Sequence, residues 1–426
     1  MAGRKAAPPA PSRLLAALPG DEVALLRRAG EIAGALAMPI YLVGGPVRDL
    51  LLGRPSADVD LMVEGEALVL ATALAEALGG AVRATHSRFG TVKLRLPARE
   101  VDIATARTET YPRPGALPVV STASARDDLC RRDFSINAMA LSLLPDSFGR
   151  LLDPCGGWPD LQRRRLRVMH DRSFHDDPLR LIRAVRLQCR LDFTLEPHTE
   201  GLAREALRAG ALHTLTRRRL QQEFRLFLQE PAMPCQVRQG LRLGLLPALI
   251  PGIAPEGLAA RMACGRRLAA WAADHPHVPD AGLIAGLLLV AAAPPGHALA
   301  AGHRLLPGRR AERSLPALTV DREAHLAALA AARRPSDWAR VLDPLPEEAV
   351  LVLACYLPSA ARRLARRYLA RWRHLRARLT GRDLLEMGYT PSPRWQEVFT
   401  TLREARMDGV TRSREDEERL AGELLG

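Results

Sequence analysis

Residues 44–60 constrain the fold of this chain more than any other segment. The apolar residues 40–43 predict a short buried strand, which the turn Gly44-Gly45-Pro46 ends. Residues 47–52 then predict a helix, and residues 59–63 predict a second strand. A strand, a glycine turn, a helix and another strand in this order are typical of a small α/β unit.

The glycine turn also predicts a phosphate site. Because Gly44 and Gly45 connect a strand to a helix, their backbone N–H groups lie where an anion is favoured. Arg48 lies near the start of the same helix and could reach that anion. These three residues are therefore candidate phosphate-binding residues.

Two acidic residues follow the turn and predict a metal site. Asp58 and Asp60 lie two apart at the start of a strand, so their side chains point to one face. Neighbouring carboxylates repel each other unless a cation lies between them, and Mg²⁺ prefers such oxygen ligands together with substrate phosphates. Two such ions can activate a 3′-hydroxyl and stabilise a leaving pyrophosphate. A surface D-x-D beside an ordinary turn is the alternative, but the order of the motifs favours the site.

The rest of the chain predicts an α+β fold, in which a head with a small mixed β-sheet precedes an all-α remainder. In the head, residues 67–78 predict a helix, and residues 91–96 and 100–104 predict paired strands. Helical periodicity dominates after Pro154. The predicted divisions are a flexible leader (1–21), the head (22–155), a helical neck (156–233), a helical body (234–379) and a helical tail (380–426).

One proline-rich segment interrupts the head. Residues 111–120 (Y-P-R-P-G-A-L-P-V-V) contain three prolines, each of which lacks a backbone N–H. We expect an irregular, mobile loop beside the sheet.

The charge of the chain predicts a polyanionic partner. The formal net charge is +14, and Lys5 and Lys93 are the only lysines. A preference for arginine codons explains the choice of arginine over lysine, but it does not explain the size of the excess. Nucleic acid is the usual partner of such a surface.

The cysteines and the apolar stretches argue for a cytoplasmic protein. The six cysteines are scattered and form no C-x-x-C pair, so we expect no zinc site and no disulfide framework. That usage fits a reducing cytoplasm. His275 and His277 form no metal-binding pattern and are expected at the surface. The most apolar stretch, residues 281–293, is too short to span a bilayer and predicts a buried helix.

A helix with a basic side begins near residue 177. Asp177-Pro178 predicts its start, with Asp177 as the N-cap and Pro178 at the first helical position. Arg180, Arg183 and Arg186 follow at steps of three and therefore share one side. The spacing alone leaves two interpretations of this side of the helix open: a basic face in contact with solvent and a face that binds a ligand.

Five ordered motifs resemble one family. They are L-V-G-G-P-V-R-D-L-L-L-G followed by D-V-D, S-R-F-G-T-V-K-L (87–94), R-R-D-F-S-I-N-A-M-A (131–140), D-D-P-L-R-L-I-R-A-V-R (176–186) and R-L-Q-Q-E-F (219–224). Together they resemble the class II CCA-adding enzyme and bacterial poly(A) polymerase group of the nucleotidyltransferase superfamily. The resemblance covers residues 35–230 in register and residues 380–415 more weakly.

The resemblance implies a role for each candidate residue. Asp58 and Asp60 would bind two Mg²⁺ ions, and Asp102 would occupy the third acidic position. Gly44, Gly45 and Arg48 would hold the triphosphate. Four further residues would contact or brace the nucleotide: Arg132, Asn137, Arg183 and Arg186.

The resemblance assigns recognition of the base to Asp177 and Arg180. Cytosine and adenine both carry an exocyclic amine beside a ring-nitrogen acceptor. A carboxylate accepts from the amine and a guanidinium donates to the ring nitrogen. Guanine and uracil present a carbonyl in place of the amine, so Asp177 would repel them. The pair would thus select C and A without a nucleic acid template.

The implied activity is addition of C, A or both to the 3′ end of tRNA, with CTP and ATP as substrates and pyrophosphate as product. Candidate contacts to the tRNA backbone are the arginines Arg217, Arg218, Arg371 and Arg373. Addition of CCA, of CC alone and of the final A alone all remain open. The alternatives are a bacterial poly(A) polymerase and a non-catalytic RNA-binding protein on the same scaffold.

Overall fold

The computed structural model describes residue 10 and residues 18–54, 58–274 and 279–426. Most of the predicted leader, and both His275 and His277, lie outside these residues. The described chain forms two compact units. The first unit comprises the chain up to Arg219 together with Cys235–Ala248, and the second comprises Leu220–Pro234 with Leu249–Gly426. The predicted α+β fold, with a mixed sheet in the N-terminal part and helices after it, is confirmed.

The strands that the structure describes lie in the first unit. They are β1 (Ile40–Val43), β2 (Asp60–Val63), β3 (Ala81–His86), β4 (Thr91–Arg95), β5 (Glu100–Thr105), β6 (Arg107–Thr110), β7 (Val119–Thr122), β8 (Ala140–Ser142), β9 (Leu151–Leu152), β10 (Arg165–Leu166) and β11 (Thr194–Leu195). The main sheet has the order β3-β4-β5-β2-β1-β8-β9, in which β2 and β5 run parallel and the other neighbours antiparallel. Strands β6 and β7 form a separate antiparallel pair, and β10 and β11 a parallel one.

Helices α1 to α8 lie in the first unit, and α9 to α11 lie where the chain changes units. In chain order they are α1 (Gly20–Ala35), α2 (Gly45–Leu51), α3 (Ala67–Leu78), α4 (Ala125–Cys130), α5 (Gly157–Gln162), α6 (Ser173–Asp176), α7 (Leu179–Leu191), α8 (Pro197–Arg208), α9 (Arg217–Gln229), α10 (Met233–Leu243) and α11 (Leu245–Leu249).

The second unit is helical throughout the residues that the structure describes. Its further helices are α12 (Leu258–Ala273), α13 (Ala281–Val290), α14 (Pro295–Leu305), α15 (Arg309–Thr319), α16 (Arg322–Ala331), α17 (Pro335–Leu342), α18 (Glu347–Tyr356), α19 (Ser359–Ala370), α20 (Gly381–Glu386), α21 (Arg394–Asp408) and α22 (Arg414–Leu425). The predicted buried helix is α13, whose residues from Ile284 onward are all buried. Among the described residues, no helix has both the length and the apolar character needed to cross a membrane.

The β1–α2–β2 segment folds as the sequence predicts. Strand β1 has the predicted bounds, and Gly44 adopts a φ of 73° as the N-cap of α2, a conformation that favours glycine. In the parallel pairing of β2 with β5, Asp60 lies opposite Asp102. The sheet register therefore brings a third carboxylate beside the two that are close in sequence.

The sequence predictions are wrong at two places in the first unit. Residues 119 and 120, predicted as part of an irregular loop, belong to β7, which pairs with β6. Asp177 is not the N-cap of α7: it follows α6, Pro178 occupies the N-cap position, and the Asp177 Oδ1 atom lies 3.4 Å from the Leu179 N–H. The carboxylate of Asp177 instead takes part in a stronger contact described below.

The expectation of a chain without disulfides is also wrong. Cys189 in α7 and Cys235 in α10 form a disulfide, with their Cα atoms 5.7 Å apart. The two residues are separated by 46 positions, so no local sequence pattern marks the pair. Only the packing of α7 and α10 brings them together.

Candidate active site

A cavity of about 640 Å³ in the first unit collects most of the predicted site residues. The predicted residues that line it are Gly44, Gly45, Arg48, Asp58, Asp60, Arg132, Asn137, Asp177, Arg180 and Arg183. Asp102 lines an adjoining cavity of about 320 Å³, whose lining also includes Asp60 and Arg132. Arg186 lines neither cavity.

Three carboxylates, those of Asp58, Asp60 and Asp102, lie close together in what we call the acidic end, where the two cavities share Asp60 as a lining residue. Burial, followed by the charges of Asp102 and Asp58, raises the pKa of Asp60 to about 6. Lys93 forms an ion pair with Asp102 at 2.9 Å. Both side chains of this pair are about half exposed, so solvent weakens its effect on Asp60. The charges of Arg132 and Lys93 lower the pKa of Asp60, but burial and the two neighbouring carboxylates outweigh them.

The glycine turn lies beside the acidic end and packs closely against an arginine. A Cβ atom on Gly44 would lie 2.9 Å from an Nη atom of Arg132, so a side chain there would displace the guanidinium. Arg48 is buried and donates to both carboxylate oxygens of Asp49 at 2.8 Å. Its remaining Nη atom donates to Asn137 Oδ1 at 2.7 Å. Arg48 thus connects the helix that follows the turn to Asn137.

Asp128 anchors the two arginines that precede Asp133. Its buried carboxylate accepts hydrogen bonds from Arg131 and from Arg132 Nη2, the latter at 2.9 Å. Burial alone would raise the pKa of Asp128, but the charges of Arg132 and Arg131 outweigh it, and the pKa lies below its ordinary value. Arg131 also contacts Glu109 at 2.7 Å. The segment that follows α4 is therefore held by a buried ionic network.

The other end of the cavity is built by α7. Arg180 is buried and donates to Ser173 Oγ at 2.5 Å and to the Arg131 carbonyl oxygen at 2.8 Å. Asp177 Oδ1 accepts from Arg219 Nη2 at 2.9 Å, and Arg219 Nη1 donates to the Gly115 carbonyl oxygen at 2.7 Å. Both predicted base-reading groups are therefore fixed by neighbours before any ligand arrives.

Several cavity residues were not among the predicted site residues. Arg219 opens the R-L-Q-Q-E-F motif, but the motif alone did not mark it as a site residue. Tyr111, whose hydroxyl donates to Glu109 at 2.8 Å, lies at the start of the predicted loop. Leu117 and Pro118 of the same loop also line the cavity. The composition of the loop marked it as irregular, but nothing in the sequence placed it at the site.

The predicted RNA-binding arginines lie outside the cavity. Arg217 and Arg218 are exposed at the start of α9. Arg371 and Arg373 belong to the second unit, where Arg371 is exposed. Arg373 donates to the Tyr368 hydroxyl and to the Leu345 carbonyl oxygen, both at 3.1 Å.

Comparison with known proteins shows which family this chain resembles. Residues 40–167 match the model of the poly A polymerase head domain. The A-adding tRNA nucleotidyltransferase of Geobacter sulfurreducens is 34% identical over 96% of this chain, which spans only 47% of that protein's length. The CC-adding tRNA nucleotidyltransferase of Deinococcus radiodurans is 36% identical, over 93% of this chain and 91% of its own.

A solved structure extends the likeness to the whole fold. The Thermotoga maritima CCA-adding enzyme complexed with tRNA superposes with a TM-score of 0.80 at 30% identity, covering 97% of this chain and 98% of that one. Family members use divalent metal ions in nucleotidyl transfer, which accords with the acidic end of the cavity. The chain belongs to the class II tRNA nucleotidyltransferase family.

Proposed function

We propose that this protein adds C, A or both to the 3′ end of tRNA from CTP and ATP, without a nucleic acid template and with release of pyrophosphate. The observation that carries the proposal is the composition of the cavity. Asp58 and Asp60 line it together with Asp177, which precedes α7, and Arg180, which lies in α7. One nucleoside triphosphate could place its phosphates at the first pair and its base at the second.

The acidic end fits a divalent ion, and we propose Mg²⁺ with Asp58 and Asp60 as ligands. The ligands are hard oxygen donors, and burial followed by the charges of Asp102 and Asp58 raises the pKa of Asp60, so a bound cation would be favoured there. Bound there, the ions would lower the pKa of the tRNA 3′-hydroxyl and stabilise the departing pyrophosphate. Asp102 is a weaker candidate because Lys93 already pairs with it. Among the described residues, no three acidic, histidine or cysteine side chains form a ready-made metal cage.

The protein's own residues would orient the nucleotide. The N–H groups of the Gly44-Gly45 turn and the Arg132 guanidinium would contact the phosphates. Asn137, which bridges Arg48 and Asp133, would keep that side of the cavity in place. Arg183 would act nearby, since its guanidinium lies 3.9 Å from the Asp133 carboxylate. Arg186 would brace α7 without lining the cavity.

Base selection would rest on Asp177 and Arg180. Asp177 would accept from the exocyclic amine of cytosine or adenine while Arg219 holds its other oxygen. Arg180 would donate to the ring nitrogen, with its orientation fixed by Ser173 and the Arg131 carbonyl. Because these partners limit rotation of both side chains, a base with a carbonyl in place of the amine would leave the carboxylate unpaired.

We propose tRNA as the macromolecular partner and the cytoplasm as the location. The excess of basic residues supports tRNA as the partner. The similarity to tRNA nucleotidyltransferases supports both the partner and the location. Arg217, Arg218 and Arg371 are exposed and suited to phosphate contacts. Arg373 would contribute with less freedom, since its guanidinium already holds Tyr368 and Leu345.

The test supplies tRNAs that end at the discriminator base, at C or at CC, each with CTP or ATP separately and with Mg²⁺. Extension of at least one of these tRNAs by C or A supports the proposal. Which tRNAs are extended, and by which nucleotide, separates CCA addition from addition of CC alone and of A alone. Unlimited addition of A to any RNA would point to a poly(A) polymerase. A purified protein inert with every end and nucleotide would contradict the proposal.

A further inference from the structure

The six cysteines of this chain lie in three pairs in the folded structure. Cys189 and Cys235 form a disulfide, the Sγ atoms of Cys130 and Cys155 lie 2.7 Å apart, and the buried thiols of Cys264 and Cys355 are neighbours. A residue in a protein core touches about 6–12 others, so a given cysteine would meet one of five others by chance roughly one time in ten. Pairing of all six is therefore unlike a chance distribution.

The three pairs differ in their access to solvent. Cys264 and Cys355 are both buried, and Cys189–Cys235 is already closed. Cys130 is exposed and Cys155 is half-buried. Cys130 and Cys155 are therefore two reduced thiols whose sulfur atoms are in contact and of which one, Cys130, is accessible to a soluble reagent.

We propose that Cys130 and Cys155 form a thiol–disulfide site that closes reversibly by exchange with a low-molecular-weight disulfide such as oxidised glutathione. A disulfide bond is about 2.05 Å long, so the two sulfur atoms need to approach by only about 0.7 Å. This site is separate from nucleotide addition and does not depend on the function proposed above.

The exchange takes place in two balanced steps. The thiolate of Cys130 attacks one sulfur of the soluble disulfide, which forms a mixed disulfide and releases one thiolate. The Cys155 thiol then loses its proton to solvent and attacks the Cys130 sulfur, which releases the second thiolate. Two protein thiols are oxidised and one soluble disulfide is reduced to two thiols.

The order of the two cysteines follows from their surroundings. Burial and the neighbouring thiol of Cys130 raise the pKa of the Cys155 thiol to about 12. Cys155 therefore carries little thiolate at neutral pH and is poorly suited to the first attack. Exposed Cys130 makes that attack, and Cys155 follows once the mixed disulfide lies against it.

Closure would link the end of α4 to the turn before α5 and so enclose residues 131–154, which include Arg131 and Arg132. Asp153 holds that turn by accepting from the N–H groups of Gly157 and Trp158 at 2.6 and 2.9 Å. Cys155 also packs against the apolar cluster that contains Ala125 and Leu129 of α4. Because both ends are already in place, closure should stabilise the head without moving the enclosed arginines.

The test uses the full chain equilibrated at a series of ratios of reduced to oxidised glutathione, then alkylated, digested with trypsin and weighed by mass spectrometry. The expected result is a cross-link between peptides 127–131 and 151–163, together with a rise in Tm of roughly 5–10 °C over the reduced protein. Cys130→Ser and Cys155→Ser should each lose the cross-link and the part of the rise in Tm that this cross-link causes. The Cys189→Ser/Cys235→Ser double variant should keep both.

Two results would overturn the proposal. One is the absence of the 127–131 to 151–163 cross-link at every glutathione ratio while the wild-type protein remains folded. The other is an equal rise in Tm for wild type and Cys130→Ser, which would assign the stabilisation to another pair. A more than tenfold difference in tRNA extension between the closed and open forms would contradict closure without movement of the site.

Discussion

The two ends of the cavity differ in how their charges are balanced. At the acidic end, Asp58, Asp60 and Asp102 share one region, and the pKa of Asp60 is raised to about 6 by burial and by its neighbours. At the α7 end, Asp177 pairs with Arg219, and Arg180 is held by Ser173 and a backbone carbonyl. In the proposed function the first end takes up a cation, whereas the groups at the second end are already held by protein partners.

This difference separates chemistry from selection. A site that depends on an added ion can hold reacting phosphates only when the ion is present. A site whose hydrogen-bonding groups are fixed by the protein can discriminate between bases on its own. Substitutions at the acidic end should therefore reduce the rate of incorporation, whereas substitutions at the α7 end should also change which nucleotide is selected.

The largest effect is expected for Asp60→Asn. Loss of one proposed metal-ligating carboxylate should reduce nucleotide incorporation by about 10³-fold or more, while tRNA affinity changes less than about threefold. The variant should be at least as stable as wild type, since it removes a destabilising repulsion. Single-turnover extension, filter binding and thermal unfolding measure the three quantities.

Asp102→Asn is the matched control at the same end. Lys93 balances Asp102, so this variant should lose much less activity than Asp60→Asn. Equal losses in the two variants would show that Asp102 is a full ligand, and near-normal activity of Asp60→Asn would refute the metal assignment.

A smaller effect, of a different kind, is expected for Asp177→Asn. Replacing a charged acceptor by an amide should reduce C or A incorporation about 10–100-fold, because a charge-assisted hydrogen bond contributes about 1.5–3 kcal/mol. Incorporation of U or G should rise relative to C and A, since the amide can donate to a carbonyl. Extension assays with each of the four nucleotides measure the ratio.

Asp176→Asn is the control for that change. Asp176 is the neighbouring carboxylate and does not line the cavity. It should leave the nucleotide ratio unchanged. A loss of selectivity as large as that of Asp177→Asn would show that the effect is not specific to the base-reading position.

Asp128→Asn should affect stability more than selection. Removing the buried anchor of Arg131 and Arg132 should destabilise the head by about 3 kcal/mol. Because the pKa of Asp128 is lowered in the folded state, its contribution is complete above the unfolded pKa of about 3.9 and is lost as pH falls through the folded value. Urea unfolding at pH 7 and at pH 3 should therefore show a smaller difference between wild type and variant at the lower pH.

The smallest effect is expected for Arg218→Ala. Loss of one exposed phosphate contact should weaken tRNA binding about two- to threefold and reduce the slope of log Kd against log salt by about 1. Arg28→Ala, which removes an exposed arginine paired with Glu31 in α1, is the control. An equal change in both variants would mean that Arg218 acts only through net charge.

The sequence predicted those parts of the site that depend on short-range patterns. Gly44, Asp58 and Asp60 lie within one strand–turn–helix–strand segment, and β1 and α3 have the predicted bounds. The predicted start of α7 was wrong, because Pro178 occupies the N-cap position. The Asp177 carboxylate contacts the Leu179 backbone nitrogen at 3.4 Å and pairs more closely with Arg219, 42 residues away. Local propensity could not anticipate that contact.

The missed features share this dependence on distant partners. Glu109 and Arg131 meet across 22 residues, and Cys130 meets Cys155 across 25. No spacing rule marks such pairs, since they arise where β6 and the turn before α5 lie against the end of α4. The sequence also could not place Arg219. The motif around it was recognised, but that its side chain lines the cavity follows only from the position of α9.

The most direct test of the account is equilibrium binding of CTP, ATP, UTP and GTP to the wild-type protein in EDTA and then in Mg²⁺. If the α7 end is organised in advance, CTP, ATP or both should bind at least about tenfold more tightly than UTP and GTP without metal, and Mg²⁺ should strengthen binding without changing the order. Equal binding of all four nucleotides in EDTA, with a preference that appears only when Mg²⁺ is added, would contradict it.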